Sequence, residues 1–240
     1  MERIRVAPGD RVFVLTGAGI SAESGLPTFR AEDGLWAGHR VEDVCTPDAW
    51  ERDPWKVWAF YSARREQGAK AKPNAAHKAL AELEEKIGNR FFLCTQNVDD
   101  LHERAGSKRM LHMHGELGKA RCENECGKPP VEDHAIYTGL DEVRRCSCGG
   151  MLRPHIVFFG EVPLEMERLE REIAHSTLMV VIGTSGSVYP AAGFVNWARQ
   201  AGARTAYIGL ERPLNAHAFS QIVLGKAGEV MPGLFETVVS

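Results

Sequence analysis

The 240-residue chain has no apolar run near the roughly 18 residues that a membrane span needs, so no transmembrane helix is expected. It also lacks a basic surplus. Its 29 Lys and Arg stand against 32 Asp and Glu, a net charge of −3, where a dedicated nucleic-acid binder would carry marked positive charge. The opening MERIRVAPGD is charged and has no apolar core of the kind a secretory signal contains. These absences lead to the expectation of a cytoplasmic protein with neither nucleic acid nor membrane as partner; the sequence leaves its oligomeric state open, with a monomer among the options. No internal repeat or low-complexity tract interrupts the chain, and 44% hydrophobic with 25% charged residues is ordinary for a globular domain. Cysteine is sparse outside one stretch. Cys45 and Cys94 stand alone, whereas Cys122, Cys126, Cys146 and Cys148 crowd together. Without an export signal, such clustering points to metal ligands rather than disulfides.

What the chain does contain begins with Arg11–Arg30, RVFVLTGAGISAESGLPTFR. Val12, Phe13, Val14 and Leu15 form a continuous apolar run, which suits a strand covered on both faces in a parallel sheet. Gly17, Gly19 and Ala22 follow, spaced G-x-G-x-x-A. In dinucleotide-binding folds the first glycine makes the tight turn and the second lets backbone N–H groups approach a pyrophosphate. The third small residue lets a helix pack on the strand. A helix opening here would hold an anion on its free N–H groups. The loop runs on through Ser21, Ser24, Gly25, Pro27, Phe29 and Arg30, longer than the usual βα turn, and long ordered loops tend to be functional.

Further along, Thr46-Pro47-Asp48 reads as a helix start, and Trp55, Trp58 and Ser62 fall on one face of a helix from Pro54. A turn at Lys72-Pro73-Asn74 precedes an amphipathic helix from Ala75 to about Lys86, ended by Gly88-Asn89. Phe91–Cys94 reads as a second buried strand running into Thr95, Gln96 and Asn97, and open α/β sheets bind ligands at such carboxyl ends. Asp99–Ala105 reads as a short helix. Met110–Gly115 and Ile156–Phe159 read as strands on either side of a loop-rich stretch, 116–155. Leu164–Ala174 and Ala191–Gln200 are expected to be helices, and Leu178–Ile182 and Arg204–Ile208 strands. The alternation favours an α/β fold with a doubly wound parallel sheet.

Several groups are suited to chemistry. The cysteines, C-x3-C-x19-C-x-C, lie close to zinc-ribbon spacing, and four thiolates suit a closed, structural Zn²⁺ site. Gly127, Gly149 and Gly150 supply turns for it, and the alternative is four ordinary thiols. His112 and His114, two apart, project to one face if they lie in a strand. They make a metal pair, a general base at His114, or two hydrogen-bonded structural imidazoles. Gln96, Asn97, Asp99 and Asp100 suit sugar hydroxyls or a carboxamide, although Asn97 and Asp99 equally suit a helix cap. Thr184 and Ser185 either meet a nucleotide or cap the next helix.

Taken in order, TGAGIS with SGLPTFR, TQNVDDLHERAG, HMHGEL, the four-cysteine module, RPHIVFFGE and GTSGSVYPA resemble the sirtuins, NAD-dependent protein-lysine deacylases, over nearly the whole chain. The resemblance implies one catalytic domain. Its Rossmann-like part would span about 1–37, 75–117 and 156–240, with a small module of helical (38–74) and zinc (118–155) pieces. It implies that Gly17, Ala18, Gly19, Ser21, Ala22 and the loop through Phe29, Arg30 and Trp36 wrap NAD. Gln96, Asn97 and Asp99 would hold the ribose and nicotinamide, and Gly183, Thr184, Ser185, Gly209 and Ala227 the adenosine half. His114 matches the family's catalytic base, assisted by Asn97 and Asp99, and His112 does not match it. The reaction implied releases nicotinamide as the acyl-lysine oxygen attacks the ribose. His114 then deprotonates a ribose hydroxyl, and lysine and O-acyl-ADP-ribose leave. Zinc, on Cys122, Cys126, Cys146 and Cys148, stabilises the small module. The acylated protein would add as a strand beside Val157, Phe158, Phe159, Gly160 and Glu161.

Tyr61 and Arg64, spaced Y-x-x-R, share a helix face and would grip a second carboxylate, as in sirtuins that remove succinyl and malonyl groups. Thr28 in PTFR, where many deacetylases carry Asp, points the same way. Cys45 stands where similar members have Ala lining the acyl pocket, and Gly209 where the family often has Asn. The expectation is removal of both acetyl and succinyl groups. Two rivals remain at this level. A dehydrogenase would need an acidic residue at the end of a second strand ~20 positions on, but the long loop and aromatic helices follow there and no such strand is found. A non-catalytic reader of acyl-lysine or ADP-ribose would share the fold.

Overall fold

The computed structural model describes residues 2–30 and 34–238. At its centre lies a six-stranded parallel sheet. Across it the strands run Gln221–Leu224, Arg204–Gly209, Leu178–Ile182, Val12–Thr16, Phe91–Thr95 and Met110–His112. The three middle strands are buried at every position, as their unbroken apolar runs require. Alternation divides each of them between two cores. Val12, Val14, Leu93 and Val180 face the helix Ala75–Ile87 through Leu80, Leu83 and Ile87. Phe13, Leu15, Cys94 and Val181 face the helices Met166–Ala174 and Phe194–Gln200 through Leu169, Ile173, Phe194 and Ala198.

After Ile4–Val6, which pairs with Phe235–Thr237 apart from this sheet, the chain enters it at Val12–Thr16, moves out to Met110–His112, then returns to the other side of Val12–Thr16. The order therefore reverses between Val12–Thr16 and Leu178–Ile182, and the crevice beyond their carboxyl ends is where such sheets bind ligands. Two loops close on each other there. Gly17 N donates to Ile182 O and Gly19 N to Gly183 O, both at 2.9 Å. A Cβ on Gly19 would lie 2.7 Å from Gly183 Cα, so the second glycine is required by backbone against backbone as much as by any ligand.

The loop departs from expectation after Gly17. No α-helix follows it; Ala18–Ile20 and Ala22–Ser24 are single 3₁₀ turns, so Ala22 packs no helix and no helix terminus awaits an anion. The reason lies across the crevice. Asn74, the cap of helix Ala75–Ile87, accepts from Ala76 N and donates its Nδ2 to Ile20 O at 2.7 Å and Ser24 Oγ at 3.1 Å. This pins the loop down turn by turn.

A third apolar cluster gathers Val44, Trp50, Trp58, Phe60 and Tyr61 with Leu117, Leu152, Ile156 and Phe158. Thr46 caps Pro47–Arg52 by accepting from Ala49 N, and Trp58 and Ser62 are buried in helix Pro54–Lys70, as the sequence indicates. Residues 116–155 are less loop-rich than expected. Gly115–Cys122, Val131–Glu132 and Leu152–Ile156 form an antiparallel sheet that frames the cysteines. The strand expected over Met110–Gly115 ends at His112, because Gly115, at φ 88°, turns the chain against the His155 carbonyl. The strand expected at Ile156–Phe159 lies earlier, at Leu152–Ile156. From Val157 the chain folds into a turn, with Glu161 N donating to Phe158 O at 2.9 Å. Strands Ile4–Val6, Gln221–Leu224 and Phe235–Thr237 carry no sequence signal strong enough to stand out. No helix among the described residues is long and apolar enough to cross a membrane.

Candidate active site

Three loops meet at the carboxyl ends of the central strands: Gly17–Gly25, Gln96–Asp100 and Gly183–Gly186. Ser21 joins the first two. Its Oγ donates to Asp99 Oδ2 and accepts from Asn97 Nδ2, both at 3.1 Å, and lies 3.4 Å from His77 Nε2. His77 Nδ1 accepts from Asn74 N, so the proton of this ring sits on Nε2 and points at Ser21. Asp99 Oδ1 also accepts from Leu101 N, a local turn one position before Asp100, which is the cap residue of helix Leu101–Ala105 and makes no side-chain capping bond. Burial pushes the Asp99 carboxyl above its ordinary range. Burial also brings His77 down to about 4, and lowers His102 well below its usual range. Both imidazoles are therefore neutral struts.

His114 lies just past the sheet. Its Nδ1 is 3.1 Å from Gln96 O, and a carbonyl only accepts, so Nδ1 carries the proton. Nε2 is left with its lone pair and has no partner among the described residues. Burial holds the ring below the usual imidazole range, with the Gln96 carbonyl working against it. His114 is thus a neutral, oriented base. His112 takes different partners, Asn97 O and Glu103, so the two histidines do not form a metal pair.

Gly183, Thr184 and Ser185 follow Leu178–Ile182 as expected. Thr184 O accepts from Tyr207 Oη, which occupies the space a side chain at Gly209 would need, 2.3 Å from its Cβ position. Gly209 itself is the last residue of its strand, and Ala227 is buried at the start of a short helix. Trp36 packs edge-on against Phe60 and Tyr61. The backbone of Phe29–Arg30 is a two-residue strand, and the side chains of Phe29 and Arg30 lie outside the described residues.

The four cysteines converge. Their sulfurs all lie within 4.8 Å of one another, with Cys122–Cys148 at 3.3 Å and Cys126–Cys146 at 3.6 Å. Tetrahedral zinc with Zn–S near 2.3 Å places its sulfurs ~3.8 Å apart, and a disulfide would bring them to ~2.05 Å. The cluster fits a structural zinc ion.

Tyr61 is fully buried and donates its hydroxyl to Cys45 Sγ at 3.1 Å; burial raises the phenol well above its ordinary range and the Cys45 thiol to about 11. One helical turn on, Arg64 Nε and Nη1 are buried with no hydrogen-bond partner among the described residues. Val157, Phe158 and Phe159 spend their N–H groups on His114 O, Glu161 Oε2 and Cys45 O, and Gly160 takes φ 96° in the turn. The Glu161 carboxylate is bound by Arg121 and Arg153. His77, His102, Arg121 and Arg153 were given no individual role by the sequence, because partners distant along the chain leave no periodic signature.

This fold and site define a doubly wound nucleotide-binding protein with a four-cysteine metal module. A family model described as the Sir2 family matches residues 17–190, and the chain belongs to that family. It is 49% identical over 237 residues to a Caulobacter vibrioides protein named NAD-dependent protein deacylase, covering 96% of this chain and 97% of that one. A solved Sir2 homologue–NAD complex superposes with a TM-score of 0.85 at 41% identity, covering 95% of this chain and 89% of the other. A Sir2–p53 peptide–NAD⁺ complex superposes at 0.80 with 30% identity, covering 94% and 92%.

Proposed function

We propose that the chain is an NAD-dependent protein-lysine deacylase that transfers acetyl and succinyl groups from lysine to ADP-ribose. The observation that carries this reading is the fixed tautomer of His114, whose Nδ1 proton is held by the carbonyl of Gln96, next to Asn97, leaving the Nε2 lone pair without a partner among the described residues. NAD, when bound, supplies the ribosyl group that accepts the acyl group. His114 Nε2 takes the proton of a ribose hydroxyl, and its depressed basicity keeps it unprotonated at neutral pH. Asn97 and Asp99, tied through Ser21, orient the ribose. Gly17, Ala18, Gly19, Ser21, Ala22 and the loop through Phe29, Arg30 and Trp36 wrap NAD, with Phe29 and Arg30 near the reacting ribose; Gln96 joins Asn97 and Asp99 at the ribose and nicotinamide, and Gly183, Thr184, Ser185, Gly209 and Ala227 meet the adenosine half.

The acylated peptide lies along Val157–Glu161 and donates its own N–H groups to carbonyls there, since most N–H groups of this segment are already engaged. Phe158 and Glu161 shape the segment from behind. The unpartnered donors of Arg64 favour a second carboxylate on the acyl chain, because buried guanidinium N–H groups without acceptors are costly. A large part, 1–37, 75–117 and 156–240, and a small one, 38–74 and 118–155, remain our division of the domain. The third apolar cluster, drawn mainly from 41–61 and 120–152, supports it, with Leu117, Ile156 and Phe158 of the large part packed against it.

The test compares one peptide, acetylated or succinylated at the same lysine, incubated with NAD and followed by mass spectrometry. Nicotinamide and O-acyl-ADP-ribose are expected from both. Peptide binding without nicotinamide release would replace the enzyme with a reader of acyl-lysine.

A further inference from the structure

His112 and Glu103 have no part in the proposed chemistry, yet they lie against the loop that performs it. His112 is the last residue of strand Met110–His112, and its side chain is 7% exposed. Its Nδ1 is 2.8 Å from the Asn97 carbonyl oxygen and its Nε2 is 2.6 Å from Glu103 Oε1. A carbonyl only accepts hydrogen bonds, and so does an ionised carboxylate. The Glu103 side chain is 40% exposed, a setting in which a carboxyl ionises at neutral pH, and its hydrogen bond to His112 holds it below the ordinary range although burial pushes it up. Both ring nitrogens must therefore donate, and His112 carries two protons. His114, two residues on, grips the neighbouring carbonyl of Gln96 with a single proton. Adjacent carbonyls of one loop are thus held by imidazoles in opposite charge states.

We propose that His112, held as an imidazolium between the Asn97 carbonyl and Glu103, is a positioning residue that fixes the Asn97–Asp99 loop for reaction. The proposal rests on the reading of this loop as the one that meets the NAD ribose. Mechanically, the bond to Asn97 O sets the peptide plane from which the Asn97 side chain reaches Ser21 Oγ. Without its second proton the ring can satisfy only one of its two acceptors.

The surroundings favour the charged ring. Helix Leu101–Ala105 contributes Glu103 and the neutral His102, and the loop contributes Asp99. Strand Gly115–Cys122 contributes Glu116, whose charge is shared with Lys119 at 2.8 Å. Burial opposes the charge, but the Glu103 hydrogen bond and charge, the Asn97 carbonyl and Glu116 outweigh it. His112 is held above the usual imidazole range. With His114 held below that range, the working window lies between the two. Acid protonates the base, and alkali strips His112 and frees the loop.

The first test needs no turnover. Ring ¹⁵N NMR of the NAD-free protein at neutral pH should show His112 doubly protonated and His114 as the Nδ1–H tautomer. A neutral His112 ring overturns the proposal. The second test is the pH profile of kcat/KM for NAD. Glu103→Gln keeps the side-chain shape and removes the charge, so His112 loses its proton at lower pH. A one-unit move of the alkaline limb corresponds to about a tenfold loss on that limb, with the acid limb unmoved. A uniform loss at all pH values, or an unmoved alkaline limb, would reduce His112 to a packing residue. A doubly protonated ring in a protein that releases no nicotinamide would sink the deacylase reading and leave the charge assignment standing.

Discussion

Glu161 Oε1 and Oε2 lie 2.8 and 3.1 Å from Nη1 and Nη2 of Arg153, a two-pronged pair that ties the turn after Val157 to the cysteine-bearing sheet. Arg121, next to Cys122, adds a third bond at 2.8 Å, and Phe158 N a fourth at 2.7 Å. Arg153 also lies over the Phe158 ring, 3.8 Å from its centre. Through this carboxylate the metal module sets the shape of the segment proposed to receive the peptide.

Glu161→Gln should therefore raise the KM for peptide while leaving that for NAD near its original value. Loss of hydrogen bonds to charged groups in a half-buried setting costs about 2 kcal/mol, measurable by denaturant unfolding. Burial pushes the Glu161 carboxyl up, but Arg153, the Phe158 N–H and Arg121 together hold it below the ordinary range. Its contribution is accordingly full above the normal glutamate range and lost as pH falls through the depressed value. Wild type should lose more stability in mild acid than Glu161→Gln does. Equal acid sensitivity would count against the pair.

Tyr61→Phe and Arg64→Met should impair removal of succinyl far more than of acetyl, since only the former presents a carboxylate. Cys45→Ala removes the thiol that now accepts the Tyr61 hydroxyl, and should raise the succinyl-to-acetyl ratio of kcat/KM several-fold, on the order of 1 kcal/mol for one hydrogen bond. Identical changes on both substrates would remove Tyr61 and Arg64 from acyl selection.

Chelation should extract one zinc per chain, counted by metal analysis, and with it the order of the sheet Gly115–Cys122 and Leu152–Ile156 that carries Arg121 and Arg153. Peptide binding should fall with the metal, and Cys148→Ser should reproduce the effect. Retention of full peptide affinity in the zinc-free protein would separate the module from the groove.

Gly19→Ala places a methyl 2.7 Å from Gly183 Cα, where both sides are backbone and neither can swing away. We expect a loss of at least about 2 kcal/mol of stability and of NAD affinity. Gly9→Ala, with nothing within 4 Å of its Cβ, serves as the silent control, read by thermal melting and NAD titration.

Much of this was legible in one dimension. The apolar runs Val12–Leu15, Phe91–Cys94 and Leu178–Ile182, the helix beginning at Ala75 and the cysteine spacing each follow from local chemistry, and each emerged close to its expected place. The glycines after Val12–Thr16 were read for their approach to a pyrophosphate, whereas the structure packs them against the Gly183–Thr184 loop, and the helix expected behind them was replaced by 3₁₀ turns held by Asn74, which is distant in sequence and adjacent in space. His112 and His114 were visible as a pair. Only the fold decided that one meets a carbonyl and a carboxylate and the other a carbonyl alone, and so which of them keeps a ring nitrogen without a partner among the described residues. Periodicity and capping act within a few residues and are written in the order of the chain. Protonation, tautomer and burial depend on partners brought together by the sheet, and no local pattern contains them.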